Sequence, residues 1–421
     1  MLIHSASQLL TLTGGPQRGQ RFGRLGMIEN GAVLIQGETI RAIGPTPPML
    51  EAYPHEERLD AENGVVMPGL VDPHTHLVWA GDRAAEFEMR LQGKTYLEIL
   101  QAGGGILNTV RATRSASDDT LFSESRSRLK TLFRNGTTTA EVKTGYGLDT
   151  PTEIRQLEII DRLNRAGPVE IIPTFLGAHA IPEEYRRENG QAYVELICRE
   201  MLPAADVWKT QHRSTFPLIF ADVFCEEGAF SLKQSRQILE TAKKFGFSLK
   251  IHADEFNNLG GVQLAIELGA VSADHLVKIS TAEIAMLASS TTAAVLLPAT
   301  PFSLGEKEHA PARELIESGC LVALASDINP GTAWCESMQF IIALACRTLH
   351  LTPAEAVAAA TINAAAAIGQ EARIGSIETG KQADLLILSV SDYRHLAYRF
   401  GGNLVKTVIK KGKVFDFRED C

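Results

Sequence analysis

His74 and His76 stand one residue apart in VMPGLVDPHTHLVWAG, a stretch that begins at Val66. In extended chain, residues i and i+2 face the same side. The apolar run continues to Val71, and an extended conformation carried through Pro73–Leu77 projects both imidazoles together from the strand's C-terminal end. Two neutral imidazoles side by side pack poorly in a core and bind metal well. The alternative is a pair of surface histidines in a loop. The rest of the chain must supply further ligands to decide.

It offers several. SLKIHADE carries His252, Asp254 and Glu255, and AVSADHL carries Asp274 and His275. LVALASD closes on Asp327, and His179 follows EIIPTFLGA. A lone histidine at a strand end is more often a core residue than a ligand, but five strands ending in His or Asp point to a metal site. Three imidazoles and one carboxylate suit Zn²⁺, and Fe²⁺ accepts the same set. Such an ion lowers the pKa of bound water to about 7 and makes hydroxide available near neutrality. Asp327 can act both as a ligand and as the base for that water. Glu255, three residues past His252, lies at loop depth, where it can hand a proton to a leaving nitrogen; otherwise it is an exposed acid at a helix N-terminus. His275 is placed to polarise a carbonyl oxygen rather than to hold the ion.

These residues need a frame. From Thr137 to about Ala365, short β-branched runs alternate with longer amphipathic stretches such as TPTEIRQLEIIDRLNRAG and SLKQSRQILETAKKFG. With the strand before His74, the count is eight. Eight β–α units with buried strands predict an α/β fold, a (β/α)8 TIM-type barrel whose active residues sit at the C-terminal ends of the strands. The two ends of the chain differ. LLTL and AVLIQGETIRAIGP, turning at Gly37, look antiparallel, as do ADLLILSV and LVKTVIKKGKVFDF, turning at Lys411–Gly412. They are expected to pair in a small β-sandwich built from both termini. The expected division is residues 1–67 and 376–421 for the sandwich and 68–375 for the barrel. The Ala-rich VAAATINAAAAIG reads as one closely packed helix.

Composition narrows the class. The chain has 421 residues, of which 45% are hydrophobic and 22% charged, ordinary values for a globular enzyme. Lys and Arg total 41 against 50 Asp and Glu, a net charge of −9. That balance argues against nucleic-acid and anionic-membrane partners. No apolar run approaches the roughly 18 residues of a membrane helix, and the N-terminus lacks the basic start of a signal peptide. Six scattered cysteines without a CxxC read as reduced thiols of a cytoplasmic protein. Cys225, in DVFCEEGAF, has no partner motif and is read as core rather than as a nucleophile.

PGLVDPHTH, the later HADE, the DH pair, the final SD and the tail ATINAAAAIG…GSIETGKQADLLIL together resemble the amidohydrolase superfamily, over essentially the whole chain. Within it, HTHLVWAGDRAAEFEMRLQGKTYLEI, EVKTGYGLD, FLGAHAIP, DVFCEEGAFS, IHADEFNNLGG and ASDINPGTAW resemble the imidazolonepropionase family. The resemblance implies hydrolysis of 4-imidazolone-5-propanoate to N-formimidoyl-L-glutamate in histidine degradation, with hydroxide attacking the ring carbonyl. It implies one Zn²⁺ or Fe²⁺/Fe³⁺ ion per subunit on His74, His76, His252 and Asp327. It implies substrate contacts from Arg83, Tyr146, His179, Glu255, Asn329, Gly331 and Thr332, with Glu255 and His275 as the acid–base and polarising residues. A homodimer is implied as well. Lys143 stands where many superfamily members carry a carboxylated lysine bridging two metals, but the pattern here is read as mononuclear. Arg83 suits a propanoate because guanidinium meets carboxylate bidentately; the alternative is a surface salt bridge with Glu86 or Glu88. Tyr146, flanked by Gly145 and Gly147, suits a flexible loop that folds over a ligand; the alternative is aromatic packing. Three rival functions stand beside this reading. A heterocycle deaminase leaves Arg83 without a task, and a non-catalytic scaffold should have lost ligands. A structural zinc site is usually closed and cysteine-rich, whereas no cysteine lies beside these histidines.

Overall fold

The computed structural model describes residues 1–94, 98, 104–186 and 190–417. Residues 95–97 and 99, at the end of the HTHLVWAG block, and Cys421 lie outside them. The strands in chain order are β1 (Leu2–Leu9), β2 (Ile28–Gln36), β3 (Thr39–Pro45), β4 (Arg58–Asp60) and β5 (Val65–Pro68). Eight more follow: β6 (Leu70–Asp72), β7 (Thr137–Lys143), β8 (Glu170–Ala178), β9 (Phe220–Cys225), β10 (Ser248–Ala253), β11 (Ser272–His275), β12 (Ala293–Leu296) and β13 (Leu321–Leu324). The C-terminal end adds β14 (Leu385–Leu388), β15 (Val405–Lys410) and β16 (Lys413–Asp416).

Strands β6 to β13 lie side by side in chain order, every neighbouring pair parallel. Parallel neighbours need crossover connections, and helices supply them. Helix Thr150–Ala166 joins β7 to β8, and Leu232–Lys244 joins β9 to β10. Each starts at a side-chain cap: Asp149 accepts from Thr152 N–H, and Ser231 forms a capping box with Gln234. Leu157 and Ile160 of the first and Ile238 and Leu239 of the second turn inward onto the strands. This is the expected (β/α)8 barrel.

The barrel closes just beyond the ends of its first and last strands. Asp72 accepts from the Ser326 N–H at 3.0 Å and its hydroxyl at 2.5 Å. The Asp327 N–H then donates to the His74 carbonyl at 3.1 Å, and the His76 N–H to the Ile328 carbonyl at 2.9 Å. Thr75 and Ile328 form a parallel bridge between them. Two of the hydrogen bonds that shut the barrel thus use the backbone of His74, His76 and Asp327, residues singled out as metal ligands. Closure and ligand placement are one event.

Inside, the barrel holds a buried charged layer. Glu141 and Lys143 of β7, Asp222 of β9, Lys250 of β10 and Asp274 of β11 are all buried. Charges there must be paired. Lys143 Nζ lies 2.7 Å from Glu141 Oε1 and 2.8 Å from Asp222 Oδ2. Lys250 donates to the carbonyls of Pro73 at 3.0 Å and Ala367 at 3.3 Å, bracing the segment that leads into His74.

The terminal strands form a second sheet, ordered β16-β15-β14-β5-β1-β2-β3, with β4 beside β1. Ile3, Val33, Val66, Leu385, Ile387 and Ile409 share one apolar cluster, so both ends of the chain enclose a common small core. The turns at Gly37 and at Lys411–Gly412 join β2 to β3 and β15 to β16. LLTL, at residues 9–12, mostly follows the first strand instead of forming it. The strand runs through the more polar HSASQ, because its pairing with β2, β4 and β5 outweighs its weak apolar alternation. The Ala-rich stretch is two helices, Pro353–Ala359 and Ile362–Ala366, broken at Thr361. The break has a cause. The Thr361 hydroxyl bonds back to the Val357 carbonyl, and the Ala360 carbonyl accepts the Val71 N–H of β6 at 3.0 Å. Among the described residues, no helix is long and apolar enough to cross a membrane.

Candidate active site

At the C-terminal end of the barrel, imidazole nitrogens converge. His74 Nε2 lies 3.2 Å from His76 Nε2, which lies 3.3 Å from His252 Nε2. Asp327 Oδ1 is 3.5 Å from the Nε2 atoms of both His74 and His76. Ligands about 2.0–2.2 Å from a tetrahedral centre stand about 3.3–3.6 Å apart, close to the 3.2–3.5 Å found here.

The protonation of the ring nitrogens tests whether a cation fits. Burial, followed by the charge of Lys143 and the neighbouring histidines, holds His74 well below its ordinary pKa. Burial does the same for His76, with His179 and His252 adding to it. His74 is therefore neutral and donates from Nδ1 to Asp274 Oδ2 at 2.6 Å. That leaves its Nε2 as a bare lone pair, facing another imidazole nitrogen and a carboxylate oxygen. Lone pairs converging in a buried site repel unless a cation lies among them. The donor set fits a divalent ion.

Supporting groups orient the donors. Asp274 fixes the tautomer of His74, the carboxylate–histidine pattern of metal sites. Asp222 Oδ2 sits 3.1 Å from His252 Nδ1 while also accepting from Lys143. Burial alone would raise the Asp222 pKa, but His252 and Lys143 overcome it and hold it below the usual range. Asp327 divides its oxygens: Oδ2 accepts from the Thr300 hydroxyl at 2.5 Å, and Oδ1 faces the histidines. Burial pushes its pKa up to about 6, an effect that a bound cation opposes. Three residues here also take the left-handed backbone, Asp254, His275 and Asp327 at φ of +56°, +83° and +54°. Asp274→Asn should cost roughly 10- to 100-fold in metal affinity, read by competition with a chromogenic chelator. An unchanged affinity would deny the orienting role.

Lys143 lies beneath this cluster and is held by two carboxylates. Burial favours its neutral form, yet Asp222 and Glu141 more than offset this and raise its pKa.

The remaining residues surround this cluster. His275 Nε2 is 3.6 Å from Glu255 Oε2. Burial, then the like charges of Asp327 and Glu226, push the Glu255 carboxyl well above its usual range. Burial likewise holds His275 well below its usual pKa. His179 stacks on His76 with ring centroids 4.7 Å apart, and burial lowers its pKa to about 3. Its Nδ1 meets the Gly145 carbonyl at 2.9 Å, leaving Nε2 for a ligand. Tyr146 is buried 5.3 Å from His179, ring to ring.

The loop carrying Tyr146 differs from the flexible loop expected. Glu153 accepts the N–H groups of Gly145, Gly147 and Leu148 at 3.0, 2.8 and 2.8 Å. A Cβ at Gly145 would meet His179 Nδ1 at 2.9 Å, and its φ is +112°. Glycine is there for close approach, and the loop is anchored. A buried acid eight residues downstream was the signal, and it looked like any helix-start glutamate.

Arg83 pairs with Glu86, Nε to Oε2 at 2.7 Å, the salt bridge weighed as its alternative. It nonetheless reaches the rim of the site: a Cβ on Gly331 would stand 2.2 Å from Arg83 Nη1. Glycine at 331 makes room for the guanidinium. Asn329 is occupied in its own loop, donating to the Asp327 carbonyl at 2.7 Å and accepting the N–H groups of Gly331 and Thr332 at 2.8 Å. Arg90 ties the same loop to helix Ala84–Leu91 through the Gly331 carbonyl at 3.1 Å. On the same rim, the loops after β8, β9 and β10 line a cavity of about 920 Å³ that includes Ala180, Glu226 and Leu259.

The amidohydrolase family profile matches residues 65–415. Solved structures with the same fold include the guanine deaminase of E. coli, at a TM-score of 0.73 and 17% identity with 98% of each chain covered. Another is an adenosine deaminase from Xanthomonas campestris with bound zinc, at a TM-score of 0.69 and 19% identity, covering 98% of this chain and 92% of that one. Curated relatives run much nearer in sequence. The imidazolonepropionase of Herpetosiphon aurantiacus is 51% identical over 98% of this chain and 96% of its own length. That of Symbiobacterium thermophilum is 50% identical over the same shares. The chain belongs to the amidohydrolase family and, within it, to the imidazolonepropionases.

Proposed function

We infer that this enzyme opens the ring of 4-imidazolone-5-propanoate, giving N-formimidoyl-L-glutamate in histidine degradation. The observation that carries the reading is the full-length relationship to imidazolonepropionases at about half of all positions. The converging donors supply its chemistry. His74, His76, His252 and Asp327 would hold one zinc or iron ion. When bound, that ion supplies Lewis acidity and makes hydroxide available near neutral pH.

The side chains do the rest. Asp327 takes the proton of the attacking water, whose oxygen bonds to the ring carbonyl carbon. His275 donates to the carbonyl oxygen as negative charge develops there. The carbon–nitrogen bond then breaks, the electron pair passes to the ring nitrogen, and Glu255 supplies its proton. Its raised pKa suits it to arrive protonated. Tyr146 and His179 hold the ring, and Arg83 turns from Glu86 toward the propanoate. Asn329, Gly331 and Thr332 shape the wall beside that carboxylate.

The same reading makes the substrate a small molecule, the enzyme a homodimer and its compartment the cytoplasm, where the free thiols of Cys198, Cys225 and Cys320 stay reduced. The test of function is ultraviolet-monitored loss of freshly made imidazolone propanoate. Loss without ammonia supports ring hydrolysis, whereas ammonia release from other heterocycles would favour a deaminase. Arg83→Ala should raise KM about 10- to 100-fold while changing kcat less, the scale of a lost charge-assisted hydrogen bond. Steady-state kinetics check this, and an unchanged KM would move the propanoate elsewhere.

A further inference from the structure

Glu226 is assigned no step in the chemistry above beyond the charge that helps raise the Glu255 carboxyl, yet it is buried on the site's rim, 3% exposed. It follows β9 in DVFCEEGAF. Its Oε2 accepts the backbone N–H groups of Phe256 at 2.9 Å and Asn257 at 3.2 Å. Its Oε1 accepts the Glu227 N–H at 2.8 Å and the Asn257 side-chain amide at 3.0 Å. Four donors occupy its two oxygens. Two of them are the peptide groups that come directly after Glu255.

The segment they belong to needs holding. The chain leaves β10 through Asp254 at φ +56°, a conformation that L-residues avoid unless their surroundings impose it. Buried backbone N–H groups need partners, and here the Glu226 side chain, just past the end of β9, accepts two of them. Glu255 is the residue between the strained turn and the clamp. Its carboxylate points to His275, 3.6 Å away.

We propose that Glu226 is the positioning residue for Glu255, a carboxylate clamp that sets where the proton is delivered. The inference rests on the acid role proposed for Glu255. It predicts a specific failure when the clamp is weakened. Gln at 226 keeps one acceptor oxygen and turns an NH₂ toward N–H groups, so one side of the clamp opens.

The experiment compares wild type, Glu226→Gln, Glu255→Gln and the double variant, each loaded with zinc and assayed for metal content, kcat and KM. Glu226→Gln should lower kcat by about 10²-fold, the lower end of what a positioned proton donor contributes. KM and metal stoichiometry should stay near wild type. In the Glu255→Gln background the same change should cost no more than about twofold, because both substitutions disable one function. Should Glu226→Gln fail to fold, Glu226→Asp keeps the charge and both acceptors, set back by one methylene, and should lose about 10-fold in kcat with the same dependence on Glu255. Wild-type kcat in a Glu226 variant would overturn the proposal, as would a loss that persists undiminished without Glu255 or that follows lost metal. Full turnover by Glu255→Gln is a separate result, which removes the acid role itself.

Discussion

Asp327→Asn should reduce kcat/KM by about 10⁴-fold or more, the upper end of what one positioned proton-transfer group contributes. The geometry gives two reasons. Oδ1 is the only carboxylate oxygen set 3.5 Å from the nitrogens of both His74 and His76, among the described residues. Oδ2 is held by Thr300, so the carboxylate cannot rotate freely. An amide of the same shape either presents NH₂ to the lone pairs of two histidines, in the place of a cation, or turns NH₂ to Thr300, whose hydroxyl must then accept instead of donate. The donor set also falls from three imidazoles and an anion to four neutral groups, which weakens its grip on a divalent ion. Metal content should therefore fall together with activity, as read by elemental analysis of dialysed protein. Turnover within tenfold of wild type would mean that the water is deprotonated elsewhere.

Glu255→Gln should behave differently. Its carboxyl lies beside His275 and is not among the four converging donors, so metal content should stay at the wild-type value while kcat drops by about 10²- to 10⁴-fold. Gln retains the size and an acceptor but has no proton to give a leaving nitrogen. KM should change little, because the loss falls on the transition state and not on ground-state binding. Comparison of kcat with metal stoichiometry in both variants separates the two carboxylates: one loses ion and activity, the other activity alone.

Much of this site was legible because its residues close strands. His74, His76, His252, Asp254, Asp274, His275 and Asp327 interrupt or end short apolar runs, and a barrel gathers such ends at one face. Periodicity likewise separated the eight parallel units from the antiparallel ends, since the buried strands read as continuous apolar runs. What stayed hidden depends on contacts between distant segments. Asp222 sits inside an apolar strand, and only the packing of β9 against its neighbours in the barrel brings it onto Lys143 and His252. Thr300 and Glu153 reach the site from helices or their approaches, where a hydroxyl or an acid carries no local sign of its partner. The Gly145–Gly147 pair suggested mobility when it served close packing, because glycine permits both. The Arg83–Glu86 pair is a case where sequence weighed both readings and the structure shows the salt bridge. The break at Thr361 was invisible for the same reason, since its explanation lies on strand β6.

The most direct test of the account is turnover of imidazolone propanoate by the metal-loaded enzyme in heavy-oxygen water, with product analysed by mass spectrometry. The account predicts rapid loss of the ring, no free ammonia, and one heavy oxygen in the newly formed carboxylate of N-formimidoyl-glutamate. Heavy oxygen on the one-carbon formimidoyl fragment, or no turnover by fully metallated protein, would contradict attack at the ring carbonyl.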